Sequence, residues 1–511
     1  MNEEHTHWGD KHDVDRFGRS RETSTLTLKN VVRYLRTRPS TLCKLPEFSW
    51  EALLPLEAAQ AMSLRNWNFF AQGFMAWTID SMDFFCVSAC ASTIAESFGV
   101  NTTQITWGIT LVLMFRSLGA VIFGLLGDRY GRKWPLVFCY LGFTVLQIAT
   151  GFVNSYGAFL AVRALFGILM GGCWSLAAAT AIEDAPTGSR SLLSGLFLSG
   201  YCLGYIFAVI FWRAFEFTKH TWRALFWFTA APSFLLMIWR VPYPETNYFM
   251  NFRKARDTRN MDLASSEAGK GGETILTFLR EDWLTFIFLI LLLAGFNFLA
   301  HGSQDLLPTY LKKQVGLGAD AITVTMVVVN LGGIIGGLIF GQLMEVLGRR
   351  LVVIVSSIGC GAFIYPTFFL HSESAVCGSG FMLVLFVFGA WSTATIMLFE
   401  LTAHSKYRSM FSGLAYQLGN LASSASSTIE SDLGANFPLQ GKASGDYNYG
   451  KVMAIFMGCV VGYMILVAFF GFERFHVELV TTEMQNEENE ENEAVEKEEI
   501  HEVEDAPWHT V

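Results

Sequence analysis

Stretches of about 20 mainly apolar residues recur along this chain, and they restrict its fold more than any other feature. Six lie near 68–90, 105–127, 134–153, 157–181, 191–212 and 222–240, and six more near 283–307, 321–343, 351–370, 380–402, 409–430 and 451–472. A helix of that length crosses a hydrocarbon core of ~30 Å. Because lipid offers no hydrogen-bond partners to the backbone, the sequence predicts an all-α membrane protein with twelve transmembrane helices.

Composition agrees with that fold class. Of the 511 residues, 52% are hydrophobic and only 16% are charged, which excludes an ordinary soluble domain. The cysteines lie mostly inside the apolar stretches and show neither a disulfide framework nor metal-ligand spacing. No nucleophile–base pair is apparent either. We therefore expect no cofactor, no metal, no nucleic-acid partner and no enzymatic activity.

Charge and hydropathy divide the chain into five segments. They are a cytoplasmic N-terminal tail (1–66), an N-terminal six-helix half (67–240), a cytoplasmic central loop (241–282), a C-terminal six-helix half (283–475) and an acidic, disordered cytoplasmic tail (476–511). Lysines and arginines concentrate in the loops that place both termini in the cytoplasm. Asn101 then begins a glycosylation sequon in an outer loop. The acidic tail has no apolar face for docking and is available to cytosolic regulators.

The two halves repeat each other. The segment Gly124-Leu-Leu-Gly-Asp128-Arg-Tyr-Gly131-Arg132-Lys133 recurs in the second half as Gly341-Gln-Leu-Met-Glu345-Val-Leu-Gly348-Arg349-Arg350. The same spacing along the chain relates Trp174 to Trp391 and Glu183 to Glu400. Chance similarity between apolar segments would not keep acids, glycines and arginines in register. The chain is therefore predicted to be two copies of a six-helix unit in the same orientation.

The repeated segment resembles the loop signature of the Major Facilitator Superfamily, G-x-x-x-D-R-x-G-R-K/R. The match is full in the first half and degraded in the second. The resemblance implies that the loops gate the cytoplasmic side, with the acid capping a neighbouring helix end. The residues given this gating role are Gly124, Asp128, Arg129, Gly131, Arg132, Lys133, Glu345, Arg349 and Arg350.

Polar groups inside the apolar stretches are few, so each is a candidate for function. Asp80 and Asp83 lie on nearly the same face of the first predicted helix, and Arg116 lies near the middle of the second. An unpaired arginine at that depth costs ~3 kcal/mol or more. A permanent ion pair with Asp80 or Asp83 would account for Arg116, and so would a substrate carboxylate held by its planar guanidinium.

The seventh stretch carries the densest polar face. Asn297, His301 and Asp305 are four residues apart and stack on one side of a helix. Such groups are costly in a membrane unless they face water, a partner or a substrate. Either they reach the outer interface, or they line a central cavity, where Gln417 and Asn420 of the eleventh stretch add uncharged hydrogen-bonding groups.

This stretch resembles the signature N-x-x-[S/T]-H-x-[S/T]-Q-D-x-x-x-T of the fungal lactate/pyruvate proton symporter (Jen) family. The matching residues are Asn297, His301, Ser303, Gln304, Asp305 and Thr309, and Ala300 is the one departure. The resemblance implies that the asparagine, histidine, glutamine and aspartate handle substrate and proton, with Arg116, Gln417 and Asn420 as further counterparts. Ala300 removes a hydroxyl and affects the substrate spectrum more than the mechanism.

Together these features predict a proton-coupled importer of short-chain carboxylates, in the plasma membrane, working by alternating access. Arg116, Asn297, Gln304, Gln417 and Asn420 would bind substrate. The groups expected to couple protons are His301, Asp305, Asp80 and Asp83. One permanent deep cation favours a monocarboxylate such as lactate, whereas a dicarboxylate would enlist protonated His301. A transporter-like nutrient receptor is the alternative from another class.

Overall fold

The structure is a computed structural model that describes residues 28–42, 45, 50, 53–265, 282–403, 405, 407–438 and 447–475. The secondary structure of these residues is helical. They contain no β-strand, only one isolated β-bridge between Pro438 and Tyr447. The acidic segment 476–511 and the middle of the central loop lie outside the described residues.

The helices, in chain order, are α1 (Leu28–Leu42), α2 (Pro55–Gln60), α3 (Leu64–Ala89), α4 (Ala91–Phe98), α5 (Thr102–Tyr130), α6 (Lys133–Phe152), α7 (Tyr156–Ile182), α8 (Arg190–Phe215), α9 (Thr221–Arg240), α10 (Asn247–Ser265), α11 (Trp283–Gln304), α12 (Leu307–Tyr310), α13 (Ala319–Leu347), α14 (Arg349–Phe369), α15 (Glu373–Trp391), α16 (Ala394–Leu401), α17 (Arg408–Ser423), α18 (Ser426–Gly434) and α19 (Tyr449–Phe470). A 3₁₀ turn at Thr187–Ser189 precedes α8, and a π turn at Leu311–Val315 follows α12.

All twelve predicted stretches fall on these helices. By length and composition alone, nine helical segments within the described ranges could cross a membrane. The stretches that miss this criterion lie on α3, α9 and the α17–α18 pair. In α3 the buried carboxylates of Asp80 and Asp83 lower the hydropathy, and the eleventh stretch breaks between Ser423 and Ser426. Polar residues that serve a site thus weaken the signal of the helices that carry them.

The helices pack in two sets that follow the sequence repeat. In the first half α3 packs on α8, α5 on α7 and α6 on α9; the matching pairs in the second half are α11 with α17, α13 with α15 and α14 with α19. The halves meet where α5 lies against α17 and where α8 lies against α13. The cavity between the halves is lined by α3, α5, α7 and α8 of the first half and by α11 and α17 of the second.

Glycines allow the close approach of helices in the second half. A Cβ on Gly332 or Gly336 would lie within 2.3 Å of a carbonyl oxygen of α15, at Phe381 or Leu385. A Cβ on Gly337 would lie 2.3 Å from Ser199 Oγ, on α8 of the other half. These glycines form a small-residue face that lets the helices pack closely.

Candidate functional site

A small cavity lies between the two halves. Its lining residues are Trp77, Ser81 and Phe84 of α3, Leu113 and Arg116 of α5, Met170 of α7, Tyr201 of α8, Asn297 and His301 of α11, and Tyr416 and Asn420 of α17. Four of the predicted site residues, Arg116, Asn297, His301 and Asn420, therefore share one cavity although they come from three helices. The sequence repeat also pairs Asp80 with Asn297, and these two residues lie on α3 and α11, the equivalent helices of the two halves.

Arg116 is the cation of this cavity. Its side chain is 4% exposed, and Nη2 lies 3.8 Å from Asp80 Oδ2, which is an ion pair without a hydrogen bond. Within the described chain, Nε and Nη2 donate to no partner. Neither oxygen of Asp80 accepts a hydrogen bond from a described residue. Arg116 thus has charge compensation from one side and free donors for an incoming anion.

His301 lies on the opposite wall and is held by two partners. Its Nδ1 lies 3.1 Å from Asp305 Oδ2, one helical turn further along, and its Nε2 lies 3.4 Å from Asn420 Oδ1 of α17. The His301 side chain is 8% exposed, whereas that of Asp305 is 29% exposed. The imidazole therefore bridges the enclosed cavity and a carboxylate that water reaches. Such an arrangement can pass a proton between solvent and cavity.

The remaining polar residues predicted for the site occupy different positions. Asn297 donates from Nδ2 to Leu293 O at 2.8 Å, which leaves its carbonyl oxygen as the acceptor at the cavity wall. Gln304 and Gln417 are buried, but the structure does not place them in the cavity lining. Their amide nitrogens and oxygens have no hydrogen-bond partner among the described residues. A binding role for these two glutamines stays a prediction.

Asp83 belongs to another cluster. It is fully buried inside the first half, where the Arg163 guanidinium is an electrostatic partner, and neither of its oxygens accepts a hydrogen bond from a described residue. Arg163 Nη1 reaches Gln147 Oε1 at 3.5 Å, and the guanidinium lies over the Phe166 ring at 4.2 Å. The two carboxylates of α3 that the sequence singles out are therefore each close to a different arginine. Asp80 faces Arg116 at the cavity, and Asp83 faces Arg163 within the first half.

An aromatic layer closes one side of the cavity. Trp174 of α7 and Tyr416 of α17 stack across the two halves with ring centroids 3.9 Å apart and planes 2° apart. Trp77 packs edge-on against both rings, and Tyr201 contacts Trp391 at 5.2 Å. Tyr416 precedes Asn420 by one turn of α17, so this layer lies toward the end at which α17 begins. We call that end the signature end, because the repeated loops 124–133 and 341–350 lie there.

Asp128 ties the halves together at the signature end. Its Oδ1 and Oδ2 accept hydrogen bonds from the backbone N–H groups of Ser409 and Met410, at 3.1 and 3.0 Å. These are the first free N–H groups of α17, so a carboxylate of the first half caps a helix of the second. The predicted capping by Asp128 is confirmed. Gly124 makes the approach possible, because a Cβ there would lie 2.5 Å from Met410 Cα.

Glu183 reinforces that link with two arginines. Arg132 of its own half donates to it through Nε at 3.0 Å and Nη2 at 2.8 Å, and Arg408 of the other half donates at 2.9 Å. Burial would raise the pKa of Glu183, but the guanidinium groups of Arg132 and Arg408 outweigh it and hold that pKa below its ordinary value. The carboxylate is thus ionised, buried and shared between the halves.

The second half repeats the part of this arrangement that lies within one half. Arg349 donates to Glu400 through Nε at 3.2 Å and Nη2 at 2.9 Å, and through Nη1 to Met344 O. Its Nη2 also lies 3.8 Å from Glu345 Oε1. Because the same fork recurs at the equivalent positions of the second half, the degraded second signature keeps the structural role of its arginine.

Each signature loop is also held by one glutamate from outside the signature, which accepts a backbone N–H of the loop. Glu245 accepts the backbone N–H of Lys133 at 3.0 Å, just after Gly131, whose φ of +99° favours glycine. In the second half Glu473 accepts the N–H of Arg350 at 2.8 Å. The other signature cations are placed differently. Arg129 is exposed, Lys133 is half-buried with its Nζ over the Trp134 ring, and Arg350 is buried and donates to Ala468 O.

Sequence reasoning missed part of the site. In the sequence, Trp174 and Trp391 stand out only as residues of the repeat, and nothing distinguishes Tyr201, Tyr416 and Ser81 from other residues of the apolar stretches. Aromatic residues in apolar stretches are usually core residues. Whether one of them lines a cavity depends on the helix that faces it, and that helix is distant in sequence. The repeat that pairs Trp174 with Trp391 was the one available signal.

A family model described as sugar (and other) transporter matches residues 56–485. The chain belongs to this family of the major facilitator superfamily. Its members are membrane transporters and not enzymes, so the expected all-α, multi-pass fold is confirmed and enzymatic function is excluded.

Relatives and solved structures agree with this family. A carboxylic acid transporter protein homolog of Saccharomyces cerevisiae is 45% identical over 476 residues, which cover 90% of this chain and 77% of that protein. A probable 4-methylmuconolactone transporter of Cupriavidus pinatubonensis is 26% identical over 68% of this chain and 78% of that protein. Among solved structures, a proton:xylose symporter bound to 6-bromo-6-deoxy-D-glucose has a TM-score of 0.62 at 14% identity, over 79% of this chain and 94% of that one.

Proposed function

We propose that this chain is a proton-coupled symporter that imports short-chain monocarboxylates across the plasma membrane by alternating access. The observation that carries the proposal is the cavity itself, where a guanidinium with free donors faces a histidine that is linked to a solvent-reached carboxylate. The yeast relative at 45% identity, named as a carboxylic acid transporter homologue, supports the substrate class. The cis,cis-muconate transport protein of Acinetobacter baylyi, 25% identical over 62% of this chain and 75% of that protein, supports an organic anion as well.

Arg116 would bind the carboxylate. A planar guanidinium gives two parallel hydrogen bonds to a carboxylate, and Nε and Nη2 are the donors that remain free in the described chain. Asp80 at 3.8 Å offsets the charge of the empty site, so an arriving anion competes with Asp80 for Arg116. Asn297 and Asn420 line the same cavity and would orient the rest of the molecule.

His301 and Asp305 would carry the proton. An imidazole has an ordinary pKa of ~6.5 and changes charge near the pH of a mildly acidic exterior. Asp305, 3.1 Å away and 29% exposed, connects that imidazole to water. A proton on His301 attracts the substrate anion, and by reciprocity the bound anion favours the proton by the same factor.

Substrate size follows from the cations present. Among the described residues that line the cavity, Arg116 is the permanent cation, because Arg163 lies with Asp83 inside the first half. One permanent charge matches a monocarboxylate. A dicarboxylate would need His301 to stay protonated as a second anchor. Competition of radiolabelled lactate uptake by succinate separates the two, and strong inhibition at low succinate concentration would favour the dicarboxylate.

The signature end would be the cytoplasmic gate, with both termini on that side. Its links between the halves are buried, whereas the Arg213–Asp320 pair between the halves at the opposite end is exposed to water. Water competes with such an exposed pair, so the opposite end opens more readily. The conformation described here is accordingly closed toward the cytoplasm.

Uptake into permease-deficient cells tests transport against the receptor alternative. A transporter accumulates labelled substrate above the external concentration, whereas a receptor binds it without accumulation. The Arg116→Gln variant, expressed at the same level, serves as the control for binding at the cavity.

A further inference from the structure

Glu430 is a buried acid that the transport scheme above leaves without a role. It lies on α18, the short helix after the break in the eleventh stretch, and it is 0% exposed. Neither of its carboxylate oxygens has a hydrogen-bond partner in the part of the chain that the structure describes. An ionised carboxylate in such a place is strongly disfavoured, and a bound proton removes that penalty.

Glu430 interacts electrostatically with Asp305, the carboxylate of the His301 pair that water reaches, and its helix packs against α11. Two neighbouring carboxylates resist ionising together, so one of the two keeps a proton. Asp305 has the imidazole at 3.1 Å and contact with water to stabilise its charge, and Glu430 has neither. The proton of the pair therefore belongs on Glu430.

Other titratable groups around α18 do not alter this assignment. The helices packed against it are α11, which contributes His301 and Asp305, and α19. The titratable side chains of α19 are Tyr449, Lys451, Cys459 and Tyr463. Lys451 is exposed and lies over the Phe437 ring at 4.1 Å. On α18 itself, Asp432 is exposed to solvent.

We propose that Glu430 is a proton-binding residue of the transport cycle, which holds its proton as a neutral acid beside Asp305 in the conformation closed at the signature end. The inference rests on the proposed proton-coupled function and extends it by a second carboxyl. When the end opposite the signature end opens and water reaches α18, the ionised form is stabilised and Glu430 exchanges its proton with that side. Proton binding at Glu430 thereby favours closing of that end.

The test compares Glu430→Gln with Asp432→Asn, each purified and reconstituted in liposomes. Glutamine keeps the size and neutrality of the protonated acid but cannot release a proton. We expect Glu430→Gln to lose at least about tenfold of proton-driven lactate accumulation, within the usual range of coupling between sites, while lactate exchange without a pH gradient persists. Asp432→Asn, two residues away and exposed, should match the wild type in both assays.

A second variant and a spectroscopic measurement cover the case in which Glu430→Gln does not fold. Glu430→Asp keeps a titratable group and should retain coupling with a shifted pH profile. Infrared spectra of the wild type should contain a protonated-carboxyl band that substrate and pH change together. Wild-type pH dependence and accumulation in Glu430→Gln, or a wild-type spectrum without such a band, would overturn the inference. If the wild type itself moves no protons with lactate, the proposed symport fails first, and the two failures are thereby distinguished.

Discussion

The Arg116 guanidinium lies 3.8 Å from the Asp80 carboxylate, close enough for ion pairing and too far for a hydrogen bond. Arg116 therefore avoids the full cost of an unpaired buried charge and keeps donors for a ligand. A tight bidentate pair would have satisfied the arginine and removed the reason for it to bind an anion. This loose pairing at a cavity between two halves is the physical basis of the proposed anion site.

Replacing Arg116 by lysine should weaken substrate binding. A point charge cannot reproduce two parallel hydrogen bonds, and losing one charge-assisted bond costs about 1.5–3 kcal/mol. We expect the apparent substrate constant to rise by about ten- to a hundredfold for that loss, with normal surface expression. Initial rates of labelled lactate uptake over a concentration series measure it. Arg253→Lys, on an arginine that is 60% exposed, is the matched control. An unchanged constant in Arg116→Lys would move the anion site elsewhere.

Replacing His301 should separate transport from coupling. His301→Ala is expected to lose pH-driven accumulation and to keep slow exchange that does not depend on pH, because the group that gains and loses the proton is gone. His371→Ala, an exposed histidine at a helix end, is the control. Accumulation and counterflow in proteoliposomes measure the two activities. Normal pH dependence in His301→Ala would transfer the proton site to Asp80 or Asp83.

Neutralising Asp305 should shift the same profile without abolishing transport. Asp305→Asn removes the negative charge 3.1 Å from Nδ1 of His301, so a higher proton concentration is needed to protonate the site. We expect half-maximal uptake at a lower pH than in the wild type. A pH series of initial rates at fixed substrate concentration measures this shift. A profile that coincides with the wild type would show that Asp305 does not act on the transported proton.

Removing the shared carboxylate at the signature end should open that end. Glu183→Gln removes a charge partner from buried Arg132 and Arg408, although Arg132 keeps Asp128 at 3.5 Å. Removing one partner of a buried ion pair typically costs about 3–5 kcal/mol. A cysteine placed by Ser412→Cys, buried near the start of α17, reports opening through its reaction with a maleimide. Faster labelling in Glu183→Gln than in Glu373→Gln, an exposed acid, is expected. Equal labelling would mean that Asp128 alone keeps the end closed.

Acid should open the same gate only at low pH. The pKa of Glu183 is held below the ordinary value for glutamate. The carboxylate therefore stabilises the closed end fully at any pH above the ordinary value, and this stabilisation is lost as the pH falls through the lowered pKa. Labelling of Ser412→Cys should therefore stay slow down to about pH 4.3, the ordinary value for glutamate, and rise below it. In Glu183→Gln the pH dependence that remains should be that of Asp128, the other carboxylate that links the halves at this end. A rise at mildly acidic pH in the wild type would point to another group.

Much of the fold could be predicted from the sequence, because lipid imposes strong constraints. The twelve apolar stretches all fall on helices, and the repeated signature predicted both the symmetry and the capping by Asp128. Local spacing also predicted the His301–Asp305 contact, since residues four apart on a helix meet. These features depend on residues that are close in sequence or on the repeat between the halves, and both can be recognised in the sequence alone.

The rest of the site depends on contacts between distant helices. Spacing on α3 could not decide which of Asp80 and Asp83 faces Arg116, because the answer depends on how α5, α6 and α7 surround that helix. In the sequence Glu430 is only the last residue of the eleventh apolar stretch, and its burial beside Asp305 depends on how α18 packs after the break. Likewise, the stacking of Trp174 on Tyr416 joins residues from opposite halves of the chain.

The central claim is tested most directly by purified protein in liposomes that contain a pH-sensitive dye and carry no membrane potential. With an acidic exterior, labelled lactate should accumulate inside above its external concentration, and the lumen should acidify in step with it. The Arg116→Gln variant should show neither change. Binding without accumulation, or accumulation of lactate with no movement of protons, would contradict a proton-coupled carboxylate symporter.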